Sequence, residues 1–341
     1  MIRFLLTSIA LFISASAFAQ SSNSTPTSVT VENFTRAESD LYFATAVREA
    51  GSIGRFDHHR EVMAIDKQTV IRANRDTLYS AAVFDLDAGP VTITLPEAGN
   101  RFMSLIFINE DQYALAVEYG AGKHTMSKDM AGTRYVIAAV RTFIDPTDPN
   151  DIGKVHALQN AIKIEQAAGG SFNVPNWDLV SQKKVRDALL VLAGTLPDTK
   201  RMFGKKDQVD PVRHLIGTAS GWGGNPEKDA TYVTVTPSKN DGKTVYRLRV
   251  KDVPVDGFWS ISMYNAAGYF EPNSYNAYSL NNLTVKKDAD GSSTIQLGGC
   301  DGKIPNCLPT TAGWNYWVRL YRPRQTVIDG QWTFPEPEEV P

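Results

Sequence analysis

Asn74, Arg75, Asp76 and Tyr79 stand together in the stretch Asn74-Arg75-Asp76-Thr77-Leu78-Tyr79-Ser80, between two strand-like runs at 68–72 and 78–86. Groups of this kind are rarely buried without partners. Their crowding at the start of a strand predicts either a polar knot that ties the fold or one wall of a site. A second cluster of the same type follows: Tyr264-Asn265, then Glu271-Pro272-Asn273-Ser274-Tyr275-Asn276-Ala277-Tyr278. Asn offers donor and acceptor together, and Tyr offers a flat apolar face with a polar tip, which suits hydroxyl-rich ligands. The same groups fit an enzyme, with a Tyr phenol or His imidazole exchanging a proton while Arg and Asn stabilise an oxyanion.

A third polar burst, Asn109-Glu110-Asp111-Gln112-Tyr113, follows the apolar run 104–108. It reads either as turn chemistry or as a functional loop at a strand end. The candidate ligand-binding residues are therefore Asn74, Arg75, Asp76, Tyr79, Asn109, Glu110, Tyr264, Asn273, Asn276 and Tyr278. Asn74, Arg75 and Tyr79 are expected to share one cleft with Asn273, Asn276 and Tyr278, placing Arg75 within ~15 Å of Tyr278, the span of a small-ligand site. The rival account has Asn273 and Asn276 capping a turn after Pro272.

Other chemistry finds little footing. The chain has no GxSxG elbow, HExxH, Walker loop or dinucleotide fingerprint. His58-His59 are adjacent, so a regular element cannot aim both at one metal, and no ligand spacing accompanies them. No cofactor and no metal is expected. Cys300 and Cys307, in GGCDGKIPNCLP, suit a small disulfide-closed loop better than a zinc site, which needs more ligands nearby.

These residues must be positioned mainly by strands. Short β-rich runs at 78–86, 91–95, 102–109, 114–119 and 135–144 are separated by Gly, Pro, Asn and Asp, the pattern of an antiparallel sandwich. A helix over about 35–50 precedes them, with Thr35 and Glu38 as a capping box, Leu41, Ala44 and Val47 as its apolar stripe, and Gly51 as its stop. Helices then begin at Asp148-Pro149, at about Asp178 and at Asp210-Pro211. Beyond Gly224, strands are predicted at 230–236, 245–250, 258–264, 283–287, 293–297 and 316–321, with Asp290-Gly291 as a hairpin turn.

The first residues predict a cleaved secretory signal: Arg3, an apolar run at 4–13 and the small-x-small site Ala17-Phe18-Ala19. Cleavage after Ala19 implies a periplasmic or secreted protein with no transmembrane segment. A near-zero net charge of −2 with interspersed signs argues against nucleic acid as a partner. A small molecule or saccharide is the partner the clusters favour.

Several motifs carry a family resemblance. The run 67–80 (KQTVIRANRDTLYS) with Phe84-Asp85-Leu86-Asp87-Ala88-Gly89-Pro90 resembles the bacterial family called domain of unknown function 1254. GFWSISMYN from Gly257, YFEPNSYNAYSL from Tyr269, NCLPTTAGWNYWVRLYRP from Asn306 and DGQWTFP from Asp329 resemble its usual C-terminal partner, domain of unknown function 1214. The resemblance implies an immunoglobulin-like sandwich, a helical connector and a jelly roll, and transfers no catalytic residue.

The expected fold is mainly β: an immunoglobulin-like sandwich and a jelly-roll-like sandwich joined by a small helical connector. The divisions are a signal peptide at 1–19, a flexible segment at 20–34, the first helix and sandwich at 35–145, the connector at 146–224 and the second β domain at 225–341. The function expected is binding of a saccharide-like or envelope-associated ligand in a cleft between the β domains. The alternative is a periplasmic hydrolase or lyase using Tyr, Arg, Asn and His groups.

Overall fold

A computed structural model describes residues 25–68 and 72–341. The expected signal peptide, residues 20–24 of the expected flexible segment, and Thr69, Val70 and Ile71 of the run at 68–72 lie outside the described residues. The remainder of the N-terminal segment is held in place. Thr27 forms a parallel bridge with Trp177, and Val29 is buried with its amide donating to Ser181 Oγ. A polar composition thus misled there, because pairing with a distant segment supplies the order.

Helix α1 (Phe34–Ala50) opens the first unit and ends at Gly51, whose φ of 78° only glycine adopts freely. The capping box expected from Thr35 and Glu38 does not form. Asn33 holds the N-cap position, and Glu38 turns inward to Arg186 Nε (2.8 Å) and Gln182 Nε2 (2.7 Å). The buried stripe is Phe34, Ala37, Phe43, Ala46 and Ala50, while Leu41 of the expected stripe is exposed. Glu38, Ser39 and Asp40 interrupt the apolar face, so its periodicity was masked in sequence.

The strands β1 (Asp57–His58), β2 (Thr77–Asp85), β3 (Val91–Leu95), β4 (Met103–Asn109), β5 (Ala114–Tyr119) and β6 (Gly122–Met126) come next, then the short α2 (Lys128–Ala131) and β7 (Tyr135–Phe143). A five-stranded sheet runs β1-β2-β7-β4-β5. Its central β7 pairs with β2 along its whole length, from Thr77↔Phe143 to Asp85↔Tyr135. One face, with Phe84, Leu105, Phe107 and Val140, packs on Val91, Ile93, Leu95 and Met126 of a smaller sheet. The other face, with Val83, Ile106, Ile108 and Ile137, is covered by Phe43 and Ala46 of α1. Burial on both faces explains why these strands read as continuous apolar runs.

Helix α3 (Pro149–Ala161) starts at Asp148, whose carboxylate accepts from the Asn150 amide at 2.9 Å. Strand β8 (Lys163–Glu165) then returns to complete the smaller sheet, β6-β3-β8. Helices α4 (Leu179–Ala193) and α5 (Pro211–Gly221) are capped by Asp178 and Asp210. With α1 they enclose a core of Phe34, Ala37, Leu189, Met202, Phe203 and Ile216. Leu192, near the end of α4, is half exposed.

The second unit contains β9 (Ala230–Val235), β10 (Tyr246–Val250), β11 (Trp259–Tyr264), β12 (Ser279–Asn281), β13 (Ser293–Leu297), β14 (Cys307–Leu308), β15 (Asn315–Tyr321), helix α6 (Gln325–Ile328) and β16 (Glu338–Glu339). Two sheets, β14-β13-β10-β16 and β12-β11-β15-β9, face each other across Leu248, Ile261, Ile295, Leu297, Trp314 and Val318. The fold is mainly β, with two β units and a helical layer between them in sequence. The strand expected at 283–287 is a turn and loop, and Asp290-Gly291 makes a turn without a hairpin. The Gly291 amide reaches Asp288 O at 3.0 Å, but β13 pairs with β10 and β14. Cys300 and Cys307 are disulfide-bonded, with Cα atoms 5.7 Å apart. Among the described residues no helix is long and apolar enough to cross a membrane.

Candidate functional site at the seam between the two units

Strand alternation gives the sheet β12-β11-β15-β9 one apolar and one polar face. Ile261, Met263, Val318 and Leu320 enter the core, while Ser260, Ser262, Tyr264, Arg319 and Tyr321 point away from it and are nevertheless buried. The first unit covers them with residues 72–79. Arg319 donates to Ser262 Oγ (2.8 Å), Tyr264 OH (2.7 Å) and the carbonyls of Arg72 (2.8 Å) and Ala73 (3.2 Å). Asp76, fully buried, accepts from Asn281 Nδ2 at 3.1 Å. Burial pushes its carboxyl above the usual range, against the opposing pull of Arg319, the Ser260 hydroxyl, Asn281 and Arg75. Its Oδ2 and Ser260 Oγ are both buried outside hydrogen-bond geometry.

Asn74 organises the turn into β2. Its Oδ1 accepts from the Asp76 amide (2.9 Å), and its Nδ2 faces the hydroxyls of Thr77 (3.1 Å), Tyr79 (3.2 Å) and Tyr321 (3.2 Å). Arg141, the cross-strand partner of Tyr79, lies 5.5 Å from that ring and donates to Asn225 and Gly223. Burial would raise the Tyr79 pKa, but Arg141 with the Thr77 and Asn74 hydrogen bonds holds it below the ordinary phenol value. Burial and the neighbouring Tyr232 and Tyr79 push Tyr321 well above that value.

The two sequence clusters do meet. The Arg75 guanidinium lies 5.5 Å from the Tyr278 ring and 6.0 Å from that of Phe270, and it donates to Met63 O. They meet in a packed seam rather than an open cleft. The hollow beside Tyr264, Asn273 and Tyr278 has about 10 Å³, room for roughly one water. Asn273 performs turn chemistry: its Oδ1 accepts from the amides of Tyr275 and Ala277, both at 3.1 Å. Asn276 is exposed with φ of 51°, a left-handed turn position.

Asn109 and Glu110 belong elsewhere. Asn109 pairs with Val136 and Thr77 with Phe143, so seven residues of β7 separate them, roughly 23 Å of strand. Asn109 Oδ1 accepts from the amides of Asp111 (3.1 Å) and Tyr113 (2.9 Å), and Glu110 accepts from the Tyr135 amide (2.9 Å). Both secure a turn near α1 and α5. The adjacent histidines diverge as strand geometry requires: His58 Nδ1 meets Ser80 Oγ at 2.8 Å, and His59 Nε2 meets Asp57 at 2.9 Å and Glu49 at 3.6 Å. Glu49, Asp57 and His59 form a partly exposed group whose donor atoms lie within 4.8 Å of one another.

An open pocket of about 310 Å³ lies at a different part of the seam. The first unit supplies Glu97, Asn100, Arg101, Phe102 and Tyr119 to its wall, and the second supplies Asp256, Gly257 and Arg322. The Arg322 guanidinium sits 4.6 Å from the centre of the Tyr119 ring, and the Tyr119 hydroxyl donates to the buried Asp229 at 2.9 Å. Burial and the adjacent Asp229 raise the Tyr119 pKa far above its ordinary value; burial raises that of Asp229 too. Gly257 allows the two units to approach, since a Cβ there would stand 2.7 Å from Tyr321 O and 3.0 Å from Phe102. Sequence reasoning missed these residues because they come from four separate segments, 96–103, 119–121, 256–257 and Arg322, that only the fold brings together.

The comparisons with known proteins agree with this architecture. Residues 53–166 match the family described as protein of unknown function DUF1254, and residues 230–325 match protein of unknown function DUF1214. The chain pairs DUF1254 with DUF1214. The two regions together span well over half of the chain and occur in the order expected. The crystal structure of the VPA0106 protein from Vibrio parahaemolyticus is similar, with TM-score 0.69 and 18% identity over 91% of this chain and 98% of that one. An uncharacterised protein from Burkholderia cenocepacia is similar at TM-score 0.50 and 13% identity over 91% and 87% of the two chains. At these identities the likeness speaks for the fold alone. No curated protein matches the sequence.

Proposed function

We propose that this DUF1254–DUF1214 protein binds a small, hydroxyl-rich, saccharide-like ligand between its two β units. The observation that carries this reading is the pocket of about 310 Å³ at the seam, a volume at the lower end of the small-ligand range. Its wall combines two aromatic side chains, Phe102 and Tyr119, with Asn100, Glu97, Asp256 and Arg322. Aromatic faces serve the C–H surface of a sugar, and amide and carboxylate groups serve its hydroxyls. Hydrolase or lyase chemistry has less support in this pocket. Its phenol, Tyr119, is held protonated by burial and by Asp229, which suits a hydrogen-bonded wall better than a base. The Cys300–Cys307 disulfide supports a periplasmic or secreted setting, and with it a ligand of the cell envelope.

Titration calorimetry with a panel of neutral mono- and disaccharides tests the reading. Ala121, an exposed residue of the pocket wall, offers a way to fill it. Saturable binding is expected for the parent, with Ala121→Trp abolishing it at an unchanged melting temperature. Binding that survives Ala121→Trp would place the ligand elsewhere.

A further inference from the structure

Resting on that reading, we infer that the preferred ligand of the pocket is a carboxylated sugar, a uronic acid, whose carboxylate pairs with Arg322. Four charged side chains line the pocket, and three are committed to other groups. Arg101 pairs with Asp151, Asp256 accepts from Arg324 Nε at 2.8 Å, and Glu97 accepts from the Gly99 amide at 3.0 Å. Arg322 is different. Its side chain is exposed and, among the described residues, has no carboxylate within ion-pair distance.

The position of Arg322 is nonetheless fixed. Its guanidinium lies over Tyr119, its φ is 50°, in the left-handed region that L residues rarely adopt, and its amide donates to Asp229 O at 2.9 Å. Tyr119 is anchored in turn through its hydroxyl to Asp229, a residue 6% exposed whose second carboxylate oxygen is buried without a hydrogen-bond partner. A cation stacked on a ring presents its N–H edge for bidentate pairing with a carboxylate. Glu97 and Asp256 on the same wall disfavour a dianion such as a phosphate ester but accept from hydroxyls. One carboxylate with several hydroxyls answers both requirements.

The experiment compares glucuronate and galacturonate with glucose and galactose, by calorimetry, on the parent, Arg322→Gln and Arg324→Gln. The parent should bind the uronates roughly tenfold more tightly than the neutral sugars, the contribution of one charge-assisted contact. Arg322→Gln should erase that preference, bringing the uronate affinity down to that of the neutral sugars, while Arg324→Gln should keep it. Salt gives a measurement on the unaltered protein: between about 50 mM and 500 mM NaCl the uronate affinity should fall and the neutral-sugar affinity should hold. Equal affinities in the parent, or a preference that persists in Arg322→Gln, would overturn the inference and leave sugar binding intact. Binding of neither class overturns both.

Discussion

Asp76 and Arg75 are sequence neighbours in the turn that leads into β2, and they face different surroundings. Asp76 is enclosed with Asn281 and near Arg319, whereas Arg75 is half buried and lies over the rings of Tyr278 and Phe270. Removing a buried carboxylate strands the groups that met it, whereas removing a stacked guanidinium loses a cation–π contact and one bond to a carbonyl. Asp76→Ala is therefore predicted to lower stability by on the order of 3 kcal/mol or more, and Arg75→Ala by about 1 kcal/mol. Urea unfolding of the two variants measures the difference. Equal losses would mean that the knot centres on neither side chain.

Helix α1 shows how an element is secured by polar groups on its buried face. Glu38 meets Arg186 and Gln182, Ser39 accepts from Trp222 Nε1 at 3.1 Å, and Asp40 accepts from Trp177 Nε1 at 2.8 Å. Burial pushes the Asp40 carboxyl up from 3.8 to about 6, although the Trp177 hydrogen bond and Arg36 oppose the shift. The folded protein thus holds this proton more tightly than the unfolded chain. The contribution of Asp40 is most favourable below pH 3.8 and is lost as pH rises through about 6. Asp40→Asn keeps an acceptor for Trp177 and removes the buried charge. It should be more stable than the parent at neutral pH, by on the order of 1–3 kcal/mol, with the gain vanishing near pH 4. Denaturation midpoints across that interval test the sign. A variant that is less stable throughout would show that the ionised form is the one the helix requires.

At the scale of the molecule, the two β units share aromatic surface as well as polar contacts. Phe258 stacks on Phe143 at 4.0 Å and on Tyr321 at 4.3 Å, and Phe102 meets Phe258 edge-on at 5.2 Å. Gln68 clamps the Phe270 backbone on both sides, accepting from its amide at 2.8 Å and donating to its carbonyl at 2.9 Å. Units joined by a buried seam of this kind should lose structure together. Calorimetry is predicted to give a single transition with coincident far- and near-ultraviolet signals. Phe258→Ala should destabilise by about 3–5 kcal/mol, since a fully buried ring leaves a cavity touching both units. Two resolved transitions in the parent protein would show that the units are energetically independent.

What the sequence determined by itself was local. The runs 91–95, 114–119 and 293–297 are strands, Asp148 and Asp210 cap helices before proline, Gly51 stops α1, and Cys300 pairs with Cys307. Each depends on neighbours a few residues away, so composition and spacing carry the signal. The family pairing was equally legible, because its motifs are contiguous. Only the tertiary structure decided which polar residues tie the units and which line a pocket. Asn273 and Tyr79 look alike in sequence, yet one serves its own turn and the other lies beside Arg141 at the seam. Tyr119 and Arg322, 203 positions apart, carry no local mark of their meeting. Burial and approach between distant segments are properties of the whole packed chain. A side chain's role at this seam was therefore settled only when the two sheets closed on each other.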